Sequence, residues 1–265
     1  MAPFKTIRSF FGKPVHKVRK ELKKIEFNSQ YRRFQDLGPD QEFPKFTADW
    51  LIHREILYGG IQKDIRVGET SPFDPRTEAE IESDRMRGGD RMLFHGYAED
   101  YSRYLKSFNF DERLVVAEFG ILRGNGLAIW CDLFPNARVL GFDIDTGHFE
   151  GNRQHLLDRG AFSSNSPEVY KFDQFVESTD YLGEILSGNT IDVCIDDGCH
   201  FDEAILCTMR SVMPYLRDRF VYFVEDNSEV HTTIRSSYPE LNVYSRGPMT
   251  VIDRNLNPQF DFAVS

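Results

Sequence analysis

From residue 114 onward, short continuous apolar runs at 114–118, 138–143, 169–172, 191–196 and 220–225 alternate with helix-length amphipathic segments. A run that is apolar throughout, rather than at every second position, suits a strand covered on both faces. Strand, helix, strand in regular succession is the pattern of a doubly wound parallel sheet. Near the C-terminus, 241–244 and 249–253 flank Arg246-Gly247-Pro248, which reads as a hairpin closing the sheet edge. The expected fold class is therefore α/β, with a mostly parallel sheet, an antiparallel C-terminal hairpin and an N-terminal helical extension.

A chain of 265 residues suits one sizeable α/β core with an extension. A hydrophobic fraction of 40% with a mean hydropathy of −0.45 excludes a disordered chain and a polytopic membrane protein. No apolar run reaches the roughly 18 residues that cross a bilayer, and the first residues lack a secretory pattern, so the cytoplasm is the expected location. Cys131, Cys194, Cys199 and Cys207 have no CxxC spacing and read as reduced thiols.

The net charge of −10 is unevenly spread. Residues 1–33 hold ten Lys or Arg against Glu21 and Glu26, leaving 22 basic and 40 acidic residues downstream. An acidic body argues against nucleic acid as a partner, because neutralising phosphates needs a basic surface. After Pro14, Val15, Val18, Leu22 and Ile25 fall on one helical face, with Lys17, Arg19, Lys20, Lys23 and Lys24 mostly elsewhere. This basic amphipathic helix has three readings: packing or homo-oligomer contact, which is the one expected, a solvated face, or membrane attachment, which Phe4, Ile7, Phe10 and Phe11 keep open. Turn formers mark connectors at 36–46 and 68–76; Trp50, Leu51, Ile52, Ile56 and Leu57 suggest a short helix, and the charged run 77–87 another.

In an open α/β sheet, ligands gather outside the carboxyl ends of the strands. Here the first run continues as Glu118-Phe119-Gly120-Ile121-Leu122-Arg123-Gly124, and the second ends at Asp143. The third ends at Asp173, the fourth in Asp196-Asp197-Gly198-Cys199-His200, and the fifth in Glu225-Asp226. The glycine spacing is not GxGxxG, and no Lys-Ser/Thr pair follows, which disfavours a dinucleotide or triphosphate site. Like charges brought together at neighbouring strand ends need a cation or a proton, and an oxygen-rich donor set suits a hard divalent ion such as Mg²⁺.

Glu-x-Gly-x-x-x-Gly after a strand resembles the first motif of class I S-adenosylmethionine-dependent methyltransferases, which have a Rossmann-like fold. Asp-Asp-Gly-x-His followed by Glu-Asp resembles a narrower family, the metal-dependent sugar O-methyltransferases, with macrolide, rhamnosyl and cephalosporin hydroxylase-like members. Gly89-Asp90-Arg91 with His95-Gly96-Tyr97 and Tyr101 looks like the segment that precedes the core in such enzymes. The likeness covers roughly residues 88–255, with Cys199 and Arg217-Asp218-Arg219 as departures.

The resemblance implies S-adenosylmethionine and Mg²⁺ as cofactors and a sugar-containing small molecule or saccharide as partner. It assigns Asp197, Glu225 and Asp226 to the metal, and His200 with Asp197 to catalysis. Glu118, Gly120, Arg123, Gly124, Asp143, Asp173, Asp196 and Tyr97 fall to the cofactor site, with Asp196 orienting its neighbours rather than coordinating a metal. It also implies a division at residue 87: a basic helical extension and cap region at 1–87, and the cofactor-binding domain at 88–265. Each position has a plainer reading, Glu118 and Asp143 as turn acids and His200 as a structural imidazole. Rival functions are a catechol-type O-methyltransferase, a metal-dependent hydrolase and a non-catalytic saccharide-binding relative.

Overall fold

A computed structural model describes residues 12–37, 40–59, 61–62, 86–87, 90–108 and 113–256. Its centre is a seven-stranded sheet of β1 (Val115–Phe119), β2 (Arg138–Asp143), β3 (Glu168–Lys171), β4 (Ile191–Asp196), β5 (Leu216–Val224), β6 (Asn242–Arg246) and β7 (Met249–Arg254), in the order β3-β2-β1-β4-β5-β7-β6. β1 to β5 are parallel, and β7 and β6 add antiparallel strands beyond β5. The expected doubly wound sheet with its C-terminal hairpin is what forms. β5 begins at Leu216, four residues before the apolar run, with an irregular register against β4. Its polar start is held from below: Arg217 Nη1 lies 2.7 Å from Asp192 Oδ1, while Asp192 Oδ2 accepts the Val115 N–H at 2.9 Å.

Alternation along each strand divides the core in two. Val116, Val193, Ile195, Val221 and Phe223 face one side, and Val115, Ala117, Phe119, Cys194, Phe220 and Tyr222 the other. The first side is covered by α2 (Ala48–Gly59), α3 (Tyr97–Leu105) and α4 (Asn125–Leu133), with Phe149 and Leu156 of α5 (Gly147–Asp158). The second is covered by α6 (Thr179–Leu186), α7 (Asp202–Val212) and α8 (Val230–Ser237). Trp50, Leu51 and Tyr58 of α2 lie in one cluster with Val116 and Phe223, so the core runs unbroken across residue 87.

The long first helix, α1 (Gly12–Asp36), forms as expected but turns a different face inward. Phe27, Tyr31 and Phe34 pack with Ile56 and Phe94, whereas Leu22 and Ile25 remain 59% and 66% exposed. Three rings at i, i+4 and i+7 bury more apolar area than Leu22 and Ile25 do, and their burial sets the helix rotation. Phe4, Ile7, Phe10, Phe11 and the 68–76 connector lie outside the described residues; of the helix expected at 77–87, only Met86–Arg87 is described, as a two-residue ladder with Ile61–Gln62. Among the described residues no helix is long and apolar enough to cross a membrane, and all four cysteines are free.

Between α2 and α3 lies a five-residue π-helical turn, Asp90–Phe94, closed by the His95 N–H donating to the Asp90 carbonyl at 2.9 Å. Glu55 of α2 holds its start, Oε1 and Oε2 accepting the backbone N–H groups of Arg91 and Met92 at 3.0 and 2.9 Å. Burial, and then the neighbouring Asp90, raise the Glu55 carboxyl well above its ordinary value. A carboxyl raised in the folded state stabilises most below its unfolded pKa of about 4, and that contribution fades as pH climbs through the folded value. Urea midpoints measured across a pH series should therefore show the wild-type advantage over Glu55→Gln shrinking with rising pH; a constant difference would contradict the shift.

Candidate active site

Strand parity decides which acids meet. Asp196 and Asp197 adjoin in sequence, but the pleat sends them to opposite faces. Asp196 points toward α7: it accepts the Gln174 amide at 2.7 Å and the Tyr222 hydroxyl at 3.2 Å, and burial pushes its pKa up to about 7. Asp196, expected in the cofactor set as an orienting acid, is a buried group tying β4 to its surroundings. Asp197 lies on the α3 and α4 side with Glu118 and Glu225, and the Asp197 N–H donates to the Phe119 carbonyl at 2.8 Å.

One guanidinium joins these acids. Arg91 Nη1 donates to Glu118 Oε1 and its Nε to Glu225 Oε1, both at 2.7 Å, and Nε lies 3.8 Å from Asp197 Oδ2. The Tyr101 hydroxyl also donates to Glu225 Oε1, and the Arg91 guanidinium carbon stands 5.5 Å from the Trp130 ring centre. Burial works against the charge on Arg91, but Glu225, Tyr101, Asp197 and Glu118 outweigh it. Burial likewise raises Glu225 to about 7, against the pull of Arg91. Glu118 reaches this guanidinium because the backbone at Gly126 carries no side chain: a Cβ there would sit 2.1 Å from Glu118 Oε1 and 2.6 Å from Arg91 Nη1.

In front of this network, Asp197, His200 and Asp226 each offer one ligand atom, all within 4.8 Å of one another. Glu225, expected with the metal ligands, stands outside that trio with Oε1 committed to Arg91 and Tyr101. Tyr97, expected at the cofactor, donates from its hydroxyl to Asp226 Oδ1 at 2.5 Å and stacks on His95, whose Nδ1 is 3.7 Å from the same oxygen. Asn227 links the two loops that bear the trio. Its Nδ2 donates to the His200 carbonyl at 2.9 Å and Asp202 Oδ1 at 2.7 Å, while its Oδ1 accepts the Glu229 and Val230 N–H groups at 2.9 and 2.8 Å. Gln174 steadies the same turn, its Oε1 accepting the Cys199 N–H at 2.6 Å.

The glycine turn lies beside the trio. Gly120 has φ +84°, and a Cβ there would come within 2.2 Å of Gly198 Cα, so this approach of the two loops requires glycine. Gly124 precedes α4, and the Arg123 carbonyl accepts the Asn152 amide at 3.0 Å. Asp143 ends β2 with Oδ2 accepting the Leu122 N–H at 2.8 Å and Oδ1 the Asp145 N–H at 3.0 Å. Asp173 accepts the Phe175 N–H at 2.9 Å in the loop after β3. Glu118 Oε2 is buried without a hydrogen-bond partner.

Arg91, Tyr101, Gly126 and Asn227 were not among the sequence-assigned site residues. Arg91 and Tyr101 stood in the segment ahead of the core, where a basic residue upstream of an acid-rich sheet edge was the available signal. Nothing in sequence spacing marks Gly126 or Asn227, which act through tertiary contacts.

No protein-family model matches the chain. It is 28% identical over 167 residues to L-olivosyl-oleandolide 3-O-methyltransferase of Streptomyces antibioticus, covering 60% of this chain and 38% of that protein. It is 25% identical over 147 residues to 8-demethyl-8-alpha-L-rhamnosyl tetracenomycin-C 2'-O-methyltransferase of Streptomyces olivaceus, covering 52% and 35%. The chain thus spans little more than a third of the length of these curated relatives. Among solved structures, MycE methyltransferase from the mycinamycin biosynthetic pathway, in complex with Mg, SAH and mycinamycin VI, aligns at 16% identity and TM-score 0.47 over 62% of this chain and 50% of that one.

Arg91→Ala leaves Glu118 and Glu225 buried without their cation and should lower unfolding free energy by about 3–5 kcal/mol in urea titrations; a loss under about 1 kcal/mol would show that the acids are satisfied without it. Asn227→Ala should destabilise by only about 1–3 kcal/mol and weaken Mn²⁺ binding, read by electron paramagnetic resonance, by about 10-fold or more. Unchanged Mn²⁺ affinity would deny Asn227 its part in holding the trio together. The sheet order is that of the class I methyltransferase fold, and the sequence is similar to sugar O-methyltransferases of Streptomyces.

Proposed function

We propose that the chain is an S-adenosylmethionine- and Mg²⁺-dependent O-methyltransferase acting on a sugar hydroxyl of a glycosylated metabolite or saccharide. The observation that carries this reading is the convergence of Asp197, His200 and Asp226 on the side of the sheet that presents Glu118 and the glycine turn. The sugar O-methyltransferases it resembles in sequence support the acceptor class.

The residues present fit both groups. Glu118, with a buried oxygen lacking a partner, suits the ammonium of a methionine-type cofactor, and Asp143 at the end of β2 suits its ribose hydroxyls. Exposed Ile144, Phe175 and Val176 offer apolar surface to its base. Asp197 and Asp226 present carboxylate oxygens for a divalent ion, with Glu225 behind them and His200 in reach of the same point. When bound, the ion supplies positive charge that lowers the pKa of a chelated hydroxyl and fixes its direction. The cofactor supplies a methyl group on a sulfonium, transferred by in-line displacement.

The chain's own part is alignment and proton removal. Tyr97 holds Asp226 and Asn227 holds the His200 loop, so the two strand ends keep their separation while an acceptor binds. A ring nitrogen of neutral His200 takes the hydroxyl proton as the oxygen attacks, a role that suits an imidazole near neutral pH. Arg91 bridges Glu118 and Glu225 and so fixes both acids beside the cleft.

Calorimetry with S-adenosylhomocysteine should show saturable binding, and a labelled methyl donor with Mg²⁺ should mark a glycoside hydroxyl. Excess chelator should abolish transfer, and His200→Ala should slow it by about 10²–10⁴-fold with homocysteine-analogue affinity kept. Full turnover in chelator would refute metal assistance, and absence of cofactor binding would refute the methyl-transfer reading.

A further inference from the structure

The His200 ring has to stand beside Asp197 and Asp226, yet no side chain holds it there. It is exposed, and among the described residues its imidazole has no hydrogen-bond partner. Its position is therefore inherited from the backbone of the turn that bears it. Three hydrogen bonds pin that turn: the Asp197 N–H to the Phe119 carbonyl at 2.8 Å, the Cys199 N–H to Gln174 Oε1 at 2.6 Å, and Asn227 Nδ2 to the His200 carbonyl at 2.9 Å. The last two bracket His200 itself, one on the residue before it and one on its own carbonyl.

Gln174 comes from the loop after β3, a strand separated from β4 by β2 and β1. Its Nε2 donates to Asp196 Oδ1 at 2.7 Å and to Thr208 Oγ1 at 3.0 Å, while the Thr208 hydroxyl commits its own hydrogen to the Ala204 carbonyl at 3.0 Å. Thr208 can therefore only accept from Gln174, which fixes the amide with its oxygen toward Cys199. A carboxylate of the same size would accept from Cys199 but could not donate to Thr208, so the position calls for an amide. Gly198 makes room for it. The three atoms nearest to a Cβ at that residue all belong to the Gln174 side-chain amide, Cδ at 2.9 Å and Oε1 closer still.

We propose that Gln174 is a positioning residue for the base: its amide, anchored on Asp196 and Thr208, holds the Cys199 N–H and so fixes where the His200 ring stands. The proposal rests on the methyl-transfer reading for what His200 does, and adds a residue that acts on it through the backbone alone. A base in an active site is ordinarily oriented by a third group bonded to its ring. Here the orienting bonds act on the backbone at either side of it.

Two substitutions break this contact by independent routes. Gln174→Met keeps the length and removes the amide, and Gly198→Ala pushes the amide aside without backbone strain, since Gly198 is not among the residues with positive φ. In NMR of the isotope-labelled full chain, each should speed hydrogen exchange of the Cys199 amide by about ten-fold or more. Each should also shift the His200 ring Cε1–H resonance, identified through His200→Gln. The double variant should do no more than either single one, because both remove the same contact. A purely structural role for Gln174 would lower the urea midpoint and leave the His200 resonance in place. That result, or additive effects in the double variant, overturns the proposal. Calorimetry with S-adenosylhomocysteine tests the reading beneath it separately: absent binding by the wild-type chain would sink methyl transfer, whatever the variants show at His200.

Discussion

The cleft depends on a single buried cation. Glu118 and Glu225 come from the ends of different strands and project to the same side, with Asp197 beside them, and in a low-dielectric interior their mutual repulsion would oppose folding. Arg91 stands between them with its fork divided, Nη1 toward Glu118 and Nε toward Glu225. A lysine, as a point charge on a flexible stem, would not satisfy two acids in fixed directions in the same way. Tyr101 and Trp130 close the remaining sides, which joins a polar network to the aromatic packing of α3 and α4.

The position of Arg91 comes from a part of the chain that precedes the sheet. Glu55 fixes the π-helical turn through two backbone N–H groups, and α2, which bears Glu55, shares its core with β1 and β5. Glu55 thus acts on the cleft at one remove, through backbone hydrogen bonds. The half-buried Asp226 is then held in front by Tyr97, and the loops by Asn227 and Gln174.

Much of the sheet was legible because its signals are local. Runs such as Val193 to Ile195 have few alternatives to a doubly covered strand, and strand ends identify the edge where ligands collect. At Asp196-Asp197 spacing alone leaves two adjacent acids equivalent; the resemblance gave Asp196 an orienting part and Asp197 the metal, and the pleat is what sets an internal group apart from one in the cleft. Glu225 poses a similar difficulty, since its engagement by Arg91 and Tyr101 joins residues more than 120 positions apart in the chain. The inward face of α1 is set by rings that lie outside the aliphatic stripe: Phe27, Tyr31 and Phe34 pack inward, while Leu22 and Ile25 stay exposed.

The π-helical turn also constrains how this segment can vary. Each residue in an α-helix advances the chain by about 100° around the axis, and a π turn accommodates one residue more than the α-helical turn it replaces. Shortening Asp90–Phe94 by a single codon would remove the hydrogen bond that closes the turn from the His95 N–H to the Asp90 carbonyl and shift His95 from its place beside Asp226. Substitutions here can be absorbed where packing allows, but insertions and deletions would dismantle the register between the two halves of the molecule.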